Sequence, residues 1–180
     1  VMHHKLSAAQ PDLPSVREEA EKINEFAKAA LHECMDMGTW LAPEPDVVID
    51  VESGVRECVG LMATMLHFCG FRLVNEVEEL PAQVLRDALR MVLGAALFAL
   101  TDAMDEPANV TIHARAGPSE VTVTLQADRL GDGQLDRYDD GYRKLVWADV
   151  QALAQAEHVG LSRQGSEVTL RFAIETATPG

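Results

Sequence analysis

The chain has 180 residues, room for one ordinary domain or a small domain with a helical appendage, and its 15 Lys and Arg against 29 Asp and Glu give a net charge of −14. That charge argues against a surface that tracks phosphates, so nucleic acid is not an expected partner. Cys34, Cys58 and Cys69 are odd in number and lack metal-ligand spacing, which reads as core thiols; with no signal-peptide pattern or long apolar span, the expected location is the cytoplasm.

Residues 1–14 form a polar lead with two adjacent histidines, His3 and His4, and the start at Val1 without Met is what a fragment or processed chain shows. Ser15 with Glu18 three residues on fits a capping box and predicts a helix start. Val16, Ala20, Ile23, Ala27, Ala30, Cys34 and Met37 then recur at spacings of four and three, the period of a bundle seam, and Phe26, Leu31 and Met35 widen the stripe. Such a face needs a partner, and a second copy of the chain is the economical one. Gly38 and Pro43-Glu44-Pro45 predict the helix end and a hinge, which divides the chain into a dimerisation-like segment, 1–45, and a second domain, 46–180.

Asp50 is placed to cap a second helix whose apolar face runs Val55, Cys58, Val59, Met62, Met65, Leu66 and Cys69, with Gly70 as its stop. Residues 71–77 alternate as a strand. Pro81 predicts the start of a central helix over 82–103, whose run from Met91 to Leu100 is apolar on every side and too short for a bilayer span of about 20 residues. That run belongs in a core. Val110, Ile112 and Ala114, the turn Gly117-Pro118-Ser119, and Val121, Val123, Leu125 and Ala127 predict a hairpin with one buried face. Residues 130–144 read as an acidic loop, 145–158 as a helix stopped by Gly160, and 161–163 with 167–175 as a closing hairpin around Gln164-Gly165. Asp128, Asp132, Asp136, Asp139 and Asp140 lack the spacing of a calcium loop, so a solvated acidic segment is expected.

The fold class is therefore α+β, a helical segment followed by an α/β sandwich. This order, with LGAALFALTDA on the central helix and QGSEVTLRF near the end, resembles the core of a sensor histidine kinase: a helical dimerisation segment and an ATP-binding domain of the Bergerat type. The resemblance implies a homodimer, a response-regulator receiver domain as partner, and a magnesium-ATP pocket. Its motifs depart from the family at each pocket position. Where the family's central helix carries an Asn or Glu and then an Asn, this chain has Ala95 and Ala99, keeping only Asp102 and Ala103 of the motif's tail; a methyl group cannot ligate a cation that demands oxygen.

The family's Asp-x-Gly-x-Gly turn is matched by Asp128, Gly131 and Gly133 with one residue too many, and Ala127 rather than Asp128 is in phase with the buried alternation. No second glycine-rich motif follows. The resemblance thus leads to a two-component protein with an eroded pocket, no ATP, magnesium or other cofactor expected, acting as a dimeric scaffold or phosphotransfer partner rather than an ATP-dependent kinase. Dimer contacts fall to Val16, Ala20, Ile23, Ala27, Ala30 and Cys34, and the phosphoacceptor candidate in the lead is His4. The alternative is an active kinase core in which Asp102 and Asp128 substitute for the missing groups. Of the other histidines, His32 reads as solvent-facing, His67 as partly buried near a helix end, His113 as lying on the strand face opposite Val110 and Ile112, and His158 as closing a helix.

Overall fold

The computed structural model describes residues 13–131 and 144–175, so His4 and Gly133 lie outside the described residues. The chain divides into two units, residues 1–43 and 44–180. The first contains one long helix, α1 (Leu13–Leu41). It starts two residues before Ser15, which therefore is not its cap, and it runs through Gly38, because an interior glycine costs a helix only about 1 kcal/mol. Arg17 pairs with Glu21 at 2.9 Å and Lys22 with Glu18 at 2.6 Å, four-residue spacings that support the helix only weakly at an exposed surface. Ile23, Phe26, Leu31 and Met35 are all exposed on it, Phe26 by 75%.

The second unit runs β1 (Val48–Asp50), α2 (Val51–Phe68), β2 (Phe71–Asn75), β3 (Gln83–Leu85), α3 (Arg86–Asp102), β4 (Ala108–Ala116), β5 (Glu120–Arg129), α4 (Trp147–Ala156), β6 (Gly160–Gln164) and β7 (Glu167–Ala173). Strands β2-β4-β5-β7-β6 form one sheet in that order, with β2 parallel to β4 and the other pairs antiparallel. β1 and β3 form a separate two-stranded sheet. Among the described residues no helix is long and apolar enough to cross a membrane.

One face of the large sheet is apolar by strict alternation: Val110 and Ile112 on β4, Val121, Val123, Leu125 and Ala127 on β5, and Val168, Leu170 and Phe172 on β7 are all buried. The helices cover this face. α3 seats Leu89, Val92, Leu93, Ala96, Leu97 and Leu100 in the core at 0–1% exposure, and each such large side chain contributes about 1.5–3 kcal/mol on burial. α2 adds Val51, Val55, Cys58, Met62 and Leu66 and closes tightly on α3 at Gly54, where a Cβ would run into the Leu89 side chain. The opposite face carries Asn109, Thr111, His113, Arg115, Thr122, Thr124, Gln126 and Thr169 toward solvent, as the register requires.

Several local expectations are corrected. Pro81 does not open the central helix, because residues 83–85 are drawn into β3 against β1 and α3 begins at Arg86. Asp50 stands at the N-cap of α2, yet its Oδ1 accepts from Gln83 Nε2 at 3.1 Å rather than capping the helix. Gly70 does stop α2 in a left-handed conformation, φ +89, whereas α4 exits through His158 at φ +56 and Gly160 belongs to β6. His67 is exposed, and Cys69 is only half-buried.

Cys58 is fully buried, and that burial, helped by the charge of Glu57, pushes its thiol from an ordinary 9.0 up to about 12. Above pH 9 the unfolded chain releases this proton while the folded chain retains it, so Cys58 contributes stability that is intact below pH 9 and is lost as the pH rises toward 12. Urea midpoints measured upward from pH 8.5 are expected to fall more steeply for the wild type than for Cys58→Ala.

Candidate functional site

The candidate site is the outward stripe of α3. Met91, Ala95, Phe98 and Asp102 recur at spacings of four, three and four, so they share one side of the helix, turned away from the side that Val92, Ala96 and Leu100 bury. Met91 is 36% exposed, while Ala95, Phe98 and Asp102 are half-buried. The apolar run is thus not enclosed on all sides. Hydrophobicity alone does not say which part of an all-apolar helix remains at the surface. Ala99 is 1% exposed and belongs to the packing interior rather than to the stripe.

The polar end of the stripe is already engaged. Asp102 Oδ2 accepts the backbone N–H of Leu145 at 3.1 Å, which anchors the chain two residues before α4 begins. A carboxylate at a helix C-terminus faces the negative end of the helix dipole, so this position is unfavourable without such a donor. Burial first, and then the Asp102 charge, push the Cys69 thiol above its usual range, which puts the ends of α2 and α3 in one electrostatic neighbourhood. The neighbouring Thr101 is buried, and its hydroxyl donates back to the carbonyls of Leu97 at 3.0 Å and Phe98 at 3.1 Å.

The other end of α3 is held by charges that sequence reasoning missed. Arg86 donates to Glu44 at 2.5 Å and to Glu57 at 3.0 Å, and the backbone N–H of Glu44 donates to Asp87 Oδ2 at 2.7 Å. Arg90, 3% exposed, pairs with Asp87 and lies 3.7 Å from Glu44. Such a buried cation is tolerated only with partners, and these lie on α3 itself and on the chain before β1. Only the Asp87–Arg90 spacing was visible locally.

Asp128 is not brought to the α3 stripe. It pairs with Asn109 in an uninterrupted β4–β5 ladder, on the face opposite buried Ala127 and toward solvent, and no bulge re-aims it. Gly131 is exposed with φ +97 just beyond β5. Among the described residues no group of three or more His, Cys, Asp or Glu could hold a metal ion. On α1, Ala20, Ile23 and Ala27 are exposed, while the side chains of Val16, Ala30 and Cys34 lie outside the described ones.

No family model and no curated protein matches the chain. Solved structures do. The ATP-binding domain of PrrB from Mycobacterium tuberculosis superposes with a TM-score of 0.54 at 16% identity, covering 74% of this chain and 100% of that one. The histidine kinase AdeS of Acinetobacter baumannii gives 0.52 at 15% identity over 98% of this chain and 94% of its own. The blue-light activated histidine kinase EL346 of Erythrobacter litoralis gives 0.52 at 12% identity over 88% and 58%. At these identities the likeness is one of fold: the mixed sheet and its helices have the architecture of histidine-kinase ATP-binding domains.

Replacing Asp102 with Ala leaves the Leu145 amide without its acceptor, at a cost of about 1 kcal/mol. Hydrogen exchange at Leu145 is expected to accelerate roughly fivefold. An unchanged rate would contradict the anchoring role.

Proposed function

We propose that this chain is a two-component signalling protein built on a histidine-kinase-type ATP-binding fold whose nucleotide pocket has lost its function, and that it acts in the cytoplasm as a dimeric scaffold or phosphotransfer partner of a response-regulator receiver domain. The observation that carries this reading is the chemistry of α3. At the two positions where the resemblance places metal- and phosphate-binding polar groups stand Ala95 and Ala99, and the carboxylate that follows them on the helix, Asp102, is committed to Leu145. Magnesium takes oxygen ligands in a near-ideal octahedron, and two methyl groups supply none. These residues do not fit magnesium-ATP, and no phosphoryl transfer from ATP is assigned to them.

The alternative, an active kinase core, asks Asp102 and Asp128 to replace the missing groups. Asp102 would have to release Leu145, and Asp128 would have to cross from the solvent face of β5 to the face of Ala127. Both demands weigh against it. ATP turnover that disappears in Asp128→Asn would favour it.

Dimerisation rests on α1, where Ile23, Ala27, Leu31 and Met35 form a row at four-residue spacing, all exposed, with Phe26 beside it. A 29-residue helix with this apolar row is stabilised by burying it against another helix, and a second copy supplies the same row. Sedimentation equilibrium at micromolar concentration is expected to give a dimer. The double variant Ile23→Glu, Phe26→Glu is expected to dissociate it, weakening association about tenfold or more. A wild-type monomer would contradict the dimer.

A further inference from the structure

The open face of the sheet carries an exposed histidine beside a carboxylate. His113 stands in the middle of β4, its side chain 47% exposed, with Nδ1 3.5 Å from Glu76 Oε2. Glu76 follows β2 directly, and its backbone N–H donates to the Ile112 carbonyl at 2.9 Å, so strand pairing places Glu76 next to His113. A carboxylate on the Nδ1 side favours the tautomer with its proton on that nitrogen, which leaves the Nε2 lone pair available for attack. Of the exposed histidines His67, His113 and His158, only His113 has a carboxylate at a ring nitrogen among the described residues.

Its neighbours suit an oxyanion. Arg115 lies two residues along the same strand, about 7 Å away on the same face. It is exposed and makes no ion pair among the described residues, in a chain of net charge −14. Thr124 is the cross-strand partner of His113, and Thr122 that of Arg115, so the Cβ atoms of the two threonines stand about 5 Å across the ladder from those of His113 and Arg115. A guanidinium fork and a hydroxyl donor are the groups that bind a phosphoryl group's equatorial oxygens.

We propose that His113 is a phosphoryl acceptor, taking its phosphate from an acyl phosphate; this rests on the phosphotransfer reading above and names the site. The Nε2 lone pair attacks phosphorus, the N–P bond forms, and the P–O bond to the donor's carboxylate breaks as that carboxylate leaves with the electron pair. The imidazole keeps its Nδ1 proton and becomes a phosphoimidazolium, whose positive charge Glu76 balances. No proton is gained or lost. Arg115 and Thr124 steady the transferred group.

The test is to incubate the full 180-residue chain with acetyl phosphate and, separately, with a phosphorylated receiver domain, mapping acid-labile, alkali-stable label by mass spectrometry. Label is expected at His113, absent in His113→Gln, retained in His4→Gln, and acquired about tenfold more slowly in Glu76→Gln. His113 is exposed, so His113→Gln is expected to keep the wild-type circular dichroism spectrum and melting temperature. Label that persists in His113→Gln overturns this assignment and leaves the phosphotransfer reading standing. No label from either donor overturns both.

Discussion

The second unit depends on how α3 is divided between its two sides. Leu89, Val92, Leu93, Ala96, Leu97 and Leu100 are seated at 0–1% exposure against the apolar face of the sheet, while Met91, Ala95, Phe98 and Asp102 are left turned outward. Burial of the first set fixes the rotation of the helix. Once that is fixed, the chemistry available on the outward stripe follows from four residue types. Methyl, thioether and phenyl groups offer dispersion contacts and no ligands, and the single carboxylate is used to hold the chain that leads into α4.

The same constraint acts across the sheet. Strict two-residue alternation from Val121 to Ala127 puts Asp128 on the solvent side, where a regular ladder holds it opposite Asn109. A strand can shift a residue to its other face only by a bulge or a slip, and a slip would expose the whole apolar set. The packing that stabilises β5 therefore keeps Asp128 away from α3. It also presents His113, Arg115, Thr122 and Thr124 together on the open face, because they occupy the complementary phase of the same two strands.

Much of this was legible in the sequence because the signals were periodic and local. The β4–β5 hairpin follows from alternation around Gly117-Pro118-Ser119, and β6–β7 from alternation around Gln164-Gly165. The wide face of α2 and its stop at Gly70 follow from helical spacing and a left-handed glycine. What escaped was long-range. β1 and β3 are three residues each and exist only because they pair with one another across an intervening helix and strand, so neither has a pattern of its own. Arg86 reaches Glu44 and Glu57, 42 and 29 residues away, and no spacing announces that. Ala95, Ala99 and Asp102 stand in the sequence at the positions the family resemblance singles out, but their separation into an outward stripe and a buried Ala99 depended on helix rotation, which the all-apolar run did not encode.

The central claim is that a histidine-kinase-type fold persists here without a working nucleotide pocket. It is tested most directly by calorimetric titration of the purified protein with ATP, in the presence and absence of magnesium. The account predicts no saturable heat up to millimolar ATP in either condition. Saturation in the micromolar range would contradict it and would mean that the outward stripe of α3 binds nucleotide by other groups.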